Sequence, residues 1–334
     1  MGTADMNVGI VGSGVIVESF IEAALANGGV NIAAVYSRDI KSSRIKFLVE
    51  KFSIKYAYDD YAQMLNNPEI DFIYIASPNS LHYSHSLKAL EANKNVICEK
   101  PFTSMKKEAQ TLYATAKNNN KMIFEAIVNI HMPNFKLINE LLAELGPIRA
   151  VQLNYSQYSG RYDKFLKGES PNVFNPEFSG GALMDINIYN VHFMLRLFGE
   201  PLKAKYYPNI ERGIDTSGIV VMEYPGFFAS LTGAKDADSD NFAIIQGEKA
   251  VLYVGNGANG CQYLELKKYG DKRSIKYNLQ YQTRGLYYEI GEFKRIYSEW
   301  DYDIFKELCE YSISVIGFVE GIRKEAGIIF AADK

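Results

Sequence analysis

The sequence has few of the residues that staple small secreted folds or hold metal ions. Its three cysteines, Cys98, Cys261 and Cys309, are far apart and form no CxxC. They read as reduced thiols, not as a disulfide framework or a zinc ribbon. With four histidines and no HExxH, no metal centre is expected. No run approaches the ~18 consecutive apolar residues of a membrane span. The opening MGTADMN carries neither the basic nor the apolar segment of a secretory signal. An excess of charge of one sign is missing too: 36 basic and 39 acidic residues are interspersed, for a net −3. That argues against binding nucleic acid or membrane through bulk charge and leaves a cytoplasmic protein as the expectation.

What is present is ordinary globular material, enough in 334 residues for about two domains. Short apolar runs at 8–11, 31–36, 70–77, 95–98 and 122–125 alternate with helical patterns at 18–26, 42–51, 60–66, 83–92 and 106–118. Such alternation implies βαβ units on a parallel sheet with right-handed crossovers. After about residue 145 the pattern changes to strands at 148–155, 218–224, 227–235, 241–247, 250–254 and 263–268, joined by turns such as Tyr224-Pro-Gly and Gln246-Gly-Glu. Consecutive strands there are expected to pair as antiparallel hairpins. Helices are expected at 182–198, closed by Gly199 and Pro201, and at 301–324. The fold class is therefore α/β. A Rossmann-type doubly wound parallel sheet is expected over 1–125, and an α+β domain with a mostly antiparallel open sheet over 126–334, its last helix and tail packing back on the first domain.

The first strand runs into GIVGSGVIV. Gly12 and Gly14 supply the first two glycines of GxGxxG, and Val17 stands at the third. The physical roles are a tight turn at Gly12 and a close backbone approach to a pyrophosphate at Gly14, with Val15 and Ile16 opening the helix behind it. A strand before and a helix after are the context that makes this glycine pattern a dinucleotide loop. The second strand ends in Tyr36-Ser37-Arg38, where an NAD site usually offers a carboxylate to the ribose. Ser37 and Arg38 suit the 2′-phosphate of NADP, which arginine grips through two hydrogen bonds. The other reading leaves Arg38 as a solvated loop residue and gives the ribose to Asp39. NADP is the expected cofactor, with NAD as the alternative.

Ligands of a doubly wound sheet lie outside the carboxyl ends of its strands. Ser77, Pro78, Asn79 and His82 follow one strand, Glu99, Lys100 and Pro101 another, and Glu125 ends the next. Neither proline can continue a central ladder, so both strands stop there. Ser77, Pro78, Asn79, His82, Glu99 and Lys100 are expected to line the cofactor crevice. Further on, in NPEFSGGALMDINIYNVH, the pair Gly180-Gly181 allows a tight turn, and Asp185 and Tyr189 stand four apart on one helix face. An acid and a phenol so placed could bind and protonate a polar substrate; by spacing alone, a simple Asp–Tyr hydrogen bond accounts for them as well.

These segments together, with SPNSLH at 77–82, EKP at 99–101, NPEFSGGALMDINIY at 175–189 and a closing GIRKEAGIIFAADK, resemble the Gfo/Idh/MocA oxidoreductase family across the whole chain. The resemblance implies a Rossmann domain followed by an open antiparallel sheet, whose outer face builds a homodimer or a dimer of dimers. It implies hydride transfer between NAD(P) and a secondary alcohol or ketone of a carbohydrate-like small molecule: a sugar, polyol or dihydrodiol. Lys100 would contact the nicotinamide ribose and the substrate hydroxyl, and Asp185 and Tyr189 would complete the catalytic set. Tyrosine at 189 is nearer to the glucose–fructose oxidoreductase and dihydrodiol dehydrogenase branch than to members with histidine there. Ser179 and Asn187 depart from the frequent glycines of this segment. His192 replaces a second aspartate, as a packed residue or a second acid–base group. Tyr155, Tyr158 and Arg161 are candidates for substrate choice. Two rival readings are a cofactor-binding regulator that has lost catalysis and an NAD-dependent glycosidase. Retention of Lys100, Asp185 and Tyr189 together argues for the dehydrogenase.

Overall fold

The computed structural model describes residues 5–282 and 284–334. It divides into two units: the chain through Ala126 together with Leu286–Ile316, and Ile127–Gly285 together with Gly317–Lys334.

In the first unit the chain alternates β1 (Met6–Val11), α1 (Val15–Asn27), β2 (Val30–Tyr36), α2 (Ser43–Phe52), β3 (Tyr56–Tyr58), α3 (Tyr61–Leu65), β4 (Phe72–Ile75), α4 (His82–Glu91), β5 (Asn95–Glu99), α5 (Lys106–Asn118) and β6 (Ile123–Ala126). The sheet order is β3-β2-β1-β4-β5-β6, parallel throughout. Strand order reverses between β1 and β4, where ligands of such sheets bind. Every residue of β4, β5 and β6 is buried, as a parallel sheet covered on both faces demands. The short edge strand β3, YAY, was not visible in the apolar pattern, because three residues carry too little periodicity.

The second unit opens with α6 (Pro133–Leu145), β7 (Ile148–Ser156), α7 (Tyr162–Leu166), a π turn over Leu183–Asn187 and α8 (Ile188–Phe198). Strands β8 (Lys203–Glu211), β9 (Ile214–Tyr224), β10 (Phe227–Ala234), β11 (Phe242–Gly247) and β12 (Ala250–Gly255) follow, then the short α9 (Gly257–Gly260), β13 (Tyr263–Lys268) and β14 (Ile275–Tyr277). The sheet order is β14-β13-β12-β11-β7-β10-β9-β8. Consecutive strands do form antiparallel hairpins, except that β7 inserts between β10 and β11 and runs parallel to β10. Val220, Met222, Ala229 and Leu231 are buried on one face of this sheet. The other face exposes Ile219, Val221 and Phe228.

Two helices close the chain, α10 (Leu286–Glu299) and α11 (Tyr302–Glu325). Among the described residues no helix is long and apolar enough to cross a membrane. In the first unit, Phe293 of α10 stacks on Phe124 of β6 with ring centroids 4.6 Å apart, and Tyr297 meets Phe72 of β4 edge-on. On the same face Tyr74 of β4 donates to Glu99 Oε1 at 2.6 Å. One turn before Phe293, Glu289 is 0% exposed, and neither carboxyl oxygen has a hydrogen-bond partner. Burial pushes Glu289 well above the ordinary carboxylate range, and the charges of Glu99 and Glu125 push it further. Because the folded-state pKa lies above the unfolded one, this group favours folding at low pH, and that contribution is lost as pH rises through the folded value. The Glu289→Gln variant should therefore gain in apparent unfolding temperature over wild type as pH is raised from about 6 to about 9. Calorimetry across that range checks this; a constant offset between the two proteins would contradict it.

Candidate active site

The loop after β1 is shaped by two close approaches. Gly12 takes a φ of 118°, and a Cβ there would overlap the carbonyl oxygen of Ala76 just beyond β4. Its N–H donates to Tyr36 O at 3.2 Å, so the turn is held between the exits of β2 and β4. Gly14 is the N-cap of α1, in extended backbone and without a side-chain cap, and a Cβ on it would meet nothing within 4 Å. Val15 is 83% and Ile16 38% exposed, whereas Val17 is fully buried and fills the helix–sheet seam in place of a third glycine. An uncapped helix N-terminus behind an open glycine is a cradle that fits a pyrophosphate. Arg44 of α2 braces it, with Nε donating to Ser13 O at 3.1 Å and Nη2 paired to Glu18 at 2.9 Å. Nothing in the sequence pattern marked Arg44, because α2 is packed beside the loop only in the fold.

At the end of β2, Ser37 N donates to Tyr58 O at 3.1 Å and Arg38 is exposed. The Asp39 carboxylate turns back on its own loop, where Oδ1 accepts from Lys41 N at 3.1 Å. At the end of β4, Pro78 caps a single 3-10 turn over Asn79–Leu81. His82 is 1% exposed and lies between two backbone carbonyls, Nδ1 at 2.8 Å from Pro101 O and Nε2 at 3.0 Å from Ser77 O. Burial lowers its pKa, against the two carbonyls, which favour the charged ring. The ring thus braces the loops after β4 and β5, with both nitrogens committed to backbone. His85, one turn on, has Nδ1 3.0 Å from Ser77 Oγ. Burial, then the neighbouring His82, Lys88 and Arg38, lower it to about 4, so it is neutral near pH 7. Sequence reading passed over His85; its position three residues after His82, on one face of α4, was the available signal.

β5 ends at Glu99, and the Lys100–Pro101 peptide is cis. Glu99 is 8% exposed and is raised chiefly by burial, against the Tyr74 hydrogen bond and the Lys100 charge, which lower it. Lys100 is half-buried at the carboxyl edge of the sheet. Glu125 Oε1 accepts from Phe102 N at 3.0 Å and so fastens the turn that follows the lysine.

In the second unit, Asn175 caps a short turn, and Gly180 then brings the chain close to the backbone of Asn172 and Val173. Gly181 has a φ of 101°, and a Cβ there would overlap Asp215 Oδ1. Asp215 Oδ2 accepts from Leu183 N and from Tyr206 Oη, both at 2.7 Å, and so sets the start of the π turn. From Ser179 to Leu195 every residue is buried except Asp185 and Tyr189. The π turn and α8 present these two polar side chains from an otherwise submerged helix; π turns frequently mark functional sites. The Tyr189 ring meets Tyr155 of β7 edge-on at 5.8 Å, and its carbonyl accepts from Asn129 Nδ2 at 3.0 Å. Asp185 is ion-paired with Lys235, which follows β10 and is 3% exposed. Asn187 and Asn190 are spent on structure: their Nδ2 groups donate to Leu231 O and Thr232 O. His192 is 0% exposed in the packed half of α8. Among the described residues no group of three or more His, Cys, Asp or Glu could hold a metal ion.

Residues 6–127 match the profile of an oxidoreductase family with an NAD-binding Rossmann fold, and residues 135–253 match the GFO/IDH/MocA C-terminal domain. The chain is 35% identical over 325 residues to the uncharacterised oxidoreductase YgjR of Escherichia coli (strain K12), covering 97% of each. It is 33% identical to scyllo-inositol 2-dehydrogenase (NADP(+)) IolU of Bacillus subtilis (strain 168), covering 97% of this chain and 98% of the relative. Among solved structures, KijD10, a 3-ketoreductase from Actinomadura kijaniata in complex with NADP and TDP-benzene, superposes with a TM-score of 0.83 over 96% of this chain and 97% of its own, at 20% identity. That last likeness is one of fold. With both halves matched in order and full-length relatives above 30%, the chain belongs to the GFO/IDH/MocA family of NAD(P)-binding oxidoreductases.

Proposed function

We propose that the protein is an NADP-dependent dehydrogenase that interconverts a secondary alcohol of a sugar, polyol or cyclic diol and the corresponding ketone. The observation that carries this reading is the pair Asp185 and Tyr189, the two residues between Ser179 and Leu195 that are not buried. Support also comes from relatives named for scyllo-inositol, D-xylose (Hypocrea jecorina) and trans-1,2-dihydrobenzene-1,2-diol (Mus musculus). The nicotinamide, when bound, supplies the hydride acceptor or donor. Tyr189 takes the hydroxyl proton during oxidation and returns it during reduction. Lys100 is assigned to orienting the substrate hydroxyl. Asp185 holds the substrate or its partners in register. Gly12, Gly14, Val15 and Ile16 would hold the pyrophosphate, and Ser77, Pro78, Asn79 and Glu99 would shape the crevice, with His82 acting through the two loops it joins.

NADP is preferred over NAD because the residues directly after β2 are Ser37 and Arg38, with no carboxylate at either position. Asp39 is engaged by Lys41 N, and Arg38 is left exposed beside Ser37. Replacing Arg38 by Ala should raise KM for NADP at least ~10-fold, the equivalent of ~1.4 kcal/mol, and leave KM for NAD nearly unchanged. Initial-rate kinetics with both cofactors measure this, and equal effects on the two would contradict it.

The open face of the second sheet is proposed to pair with its counterpart in a second copy. The cross-strand pair Tyr207–Ile219 sets two apolar groups side by side there, and Val221 follows on the same face of β9, flanked by Lys205 and Ser230. Tyr207 is 56%, Ile219 42% and Phe228 60% exposed, an apolar strip suited to an isologous contact.

The function is tested by supplying NADP with scyllo-inositol, D-xylose and trans-1,2-dihydrobenzene-1,2-diol and following NADPH fluorescence. On the substrate that is turned over, Tyr189→Phe and Lys100→Met should each lower kcat by about 100-fold or more, as expected on losing a general acid–base group or its orienting cation. NADPH should still bind both variants. Turnover by Tyr189→Phe within a few-fold of wild type would refute the assignment.

A further inference from the structure

Lys235 closes the stretch expected as a strand over 227–235, next to the polar run DADSD, yet its side chain is only 3% exposed. Its backbone is clamped on both sides: the N–H donates to Thr216 O at 2.9 Å, and its carbonyl accepts from Ser159 N at 2.9 Å. The side chain runs to Asp185 and lies 5.1 Å from the centre of the Phe174 ring, itself buried. Burying an ammonium costs several kcal/mol unless a partner offsets it. Sheet stability does not call for a cation here, since β10 already ends at Ala234. The position does make sense for Asp185. That carboxylate stands four residues before Tyr189 across the junction of the π turn and α8, and an uncompensated negative charge there would oppose phenolate formation.

We propose that Lys235 is a positioning residue for the acid–base pair: it locks the Asp185 carboxylate in place and cancels its charge beside Tyr189. The inference rests on the acid–base role proposed for Tyr189. The other titratable groups around this helix in the second unit are accounted for. Asp215 of β9 is bonded to Leu183 N and Tyr206 Oη, and Lys235 is one of the groups that lower its pKa. Asp236 accepts from the hydroxyls of Thr216 and Ser217. Tyr155 of β7 meets Tyr189 by its ring, and His192 lies in the buried part of α8. Burial, aided by Lys136, Arg196 and His192, holds His131 down at about 3, so it carries no charge near pH 7. Lys235 is thus the cation that the fold delivers to Asp185 within this unit, and a substitution there should be read by the tyrosine.

The experiment places 3-fluorotyrosine at position 189 in the full chain saturated with NADPH, and follows its titration by fluorine NMR. Lys235→Met should raise the midpoint by about one unit, the scale expected for one unscreened charge about one helical turn away. Lys235→Arg should keep it within a few tenths. Asp185→Asn, which removes this acid from beside the lysine, should lower it, and the double variant Asp185→Asn/Lys235→Met should return it near wild type. A purely structural lysine would leave the Tyr189 midpoint where it is in every variant that folds. The proposal is overturned if the midpoint is insensitive to Lys235→Met, or if the double variant is as displaced as the single one. Should Lys235→Met fail to fold, the Asp185→Asn and double variants still decide the matter by whether their midpoints differ in the stated direction. Turnover on the three alcohols is measured separately. A wild-type protein inactive on all of them would sink the dehydrogenase reading without altering what the titration says about Lys235.

Discussion

Asp215 reaches from the start of β9 to the N–H of Leu183, and the helix that presents Asp185 and Tyr189 begins from that bond. Its second oxygen fills the space that any side chain at 181 would need, so glycine is required there and the chain turns sharply. A carboxyl that is 1% exposed carries a large desolvation cost. Burial pushes its pKa up, and the bonds from Leu183 N and Tyr206 Oη pull it down. One buried acid thereby converts a glycine pair into a fixed launching point for two exposed polar groups. Loss of that acid would take away the side-chain acceptor of the Leu183 N–H and leave the Tyr206 hydroxyl only its long contact to Ser217 O at 3.5 Å, and the damage would fall on the site before it reached the sheet.

The parts of this protein that could be read from its sequence are those whose physics is local. The strand–glycine–helix succession around Gly12 and Gly14 is a property of adjacent residues, as is the four-residue spacing of Asp185 and Tyr189. The prolines after β4 and β5 mark strand ends for the same reason. What could not be read depends on pairing across the chain. The parallel alignment of β7 with β10 joins residues some eighty positions apart, and no turn signal announces it. β8 and β14 are edge or near-edge strands with mixed polarity, so their alternation is blurred. Helix α10 was legible in principle, since Ile290, Phe293 and Ile296 recur at helical spacing on one buried face. Lys235 and His85 escaped because a buried, paired lysine and a neutral, packed histidine look in sequence like solvated ones. The π turn is equally silent, since Leu183–Asn187 reads as ordinary helix.

The first unit shows how charge is handled where strands end. Of the polar residues at the exits of β4, β5 and β6, most are committed inward. His82 joins two loops, Glu125 holds Phe102 N, and Glu99 takes the Tyr74 hydroxyl. Lys100 differs from them in being half-buried at the edge, with its flanking turn already braced. Buried acids and a histidine thus brace the loops on either side of Lys100. Sequence alone showed the polar strand ends but not which of them are committed inward.

Neither unit is a continuous stretch of sequence. The chain passes from one to the other after Ala126, returns at Leu286, and leaves again within α11 after Ile316. The aromatic cover of the first sheet, Phe293 on Phe124 and Tyr297 on Phe72, is therefore supplied by residues translated after the whole second sheet. A ribosome that has released only the first 126 residues has produced a parallel sheet lacking part of its lid. The nucleotide-binding half of this protein is not a cassette that can be excised at its apparent boundary, and in the cell it completes its core only after the second sheet has been made.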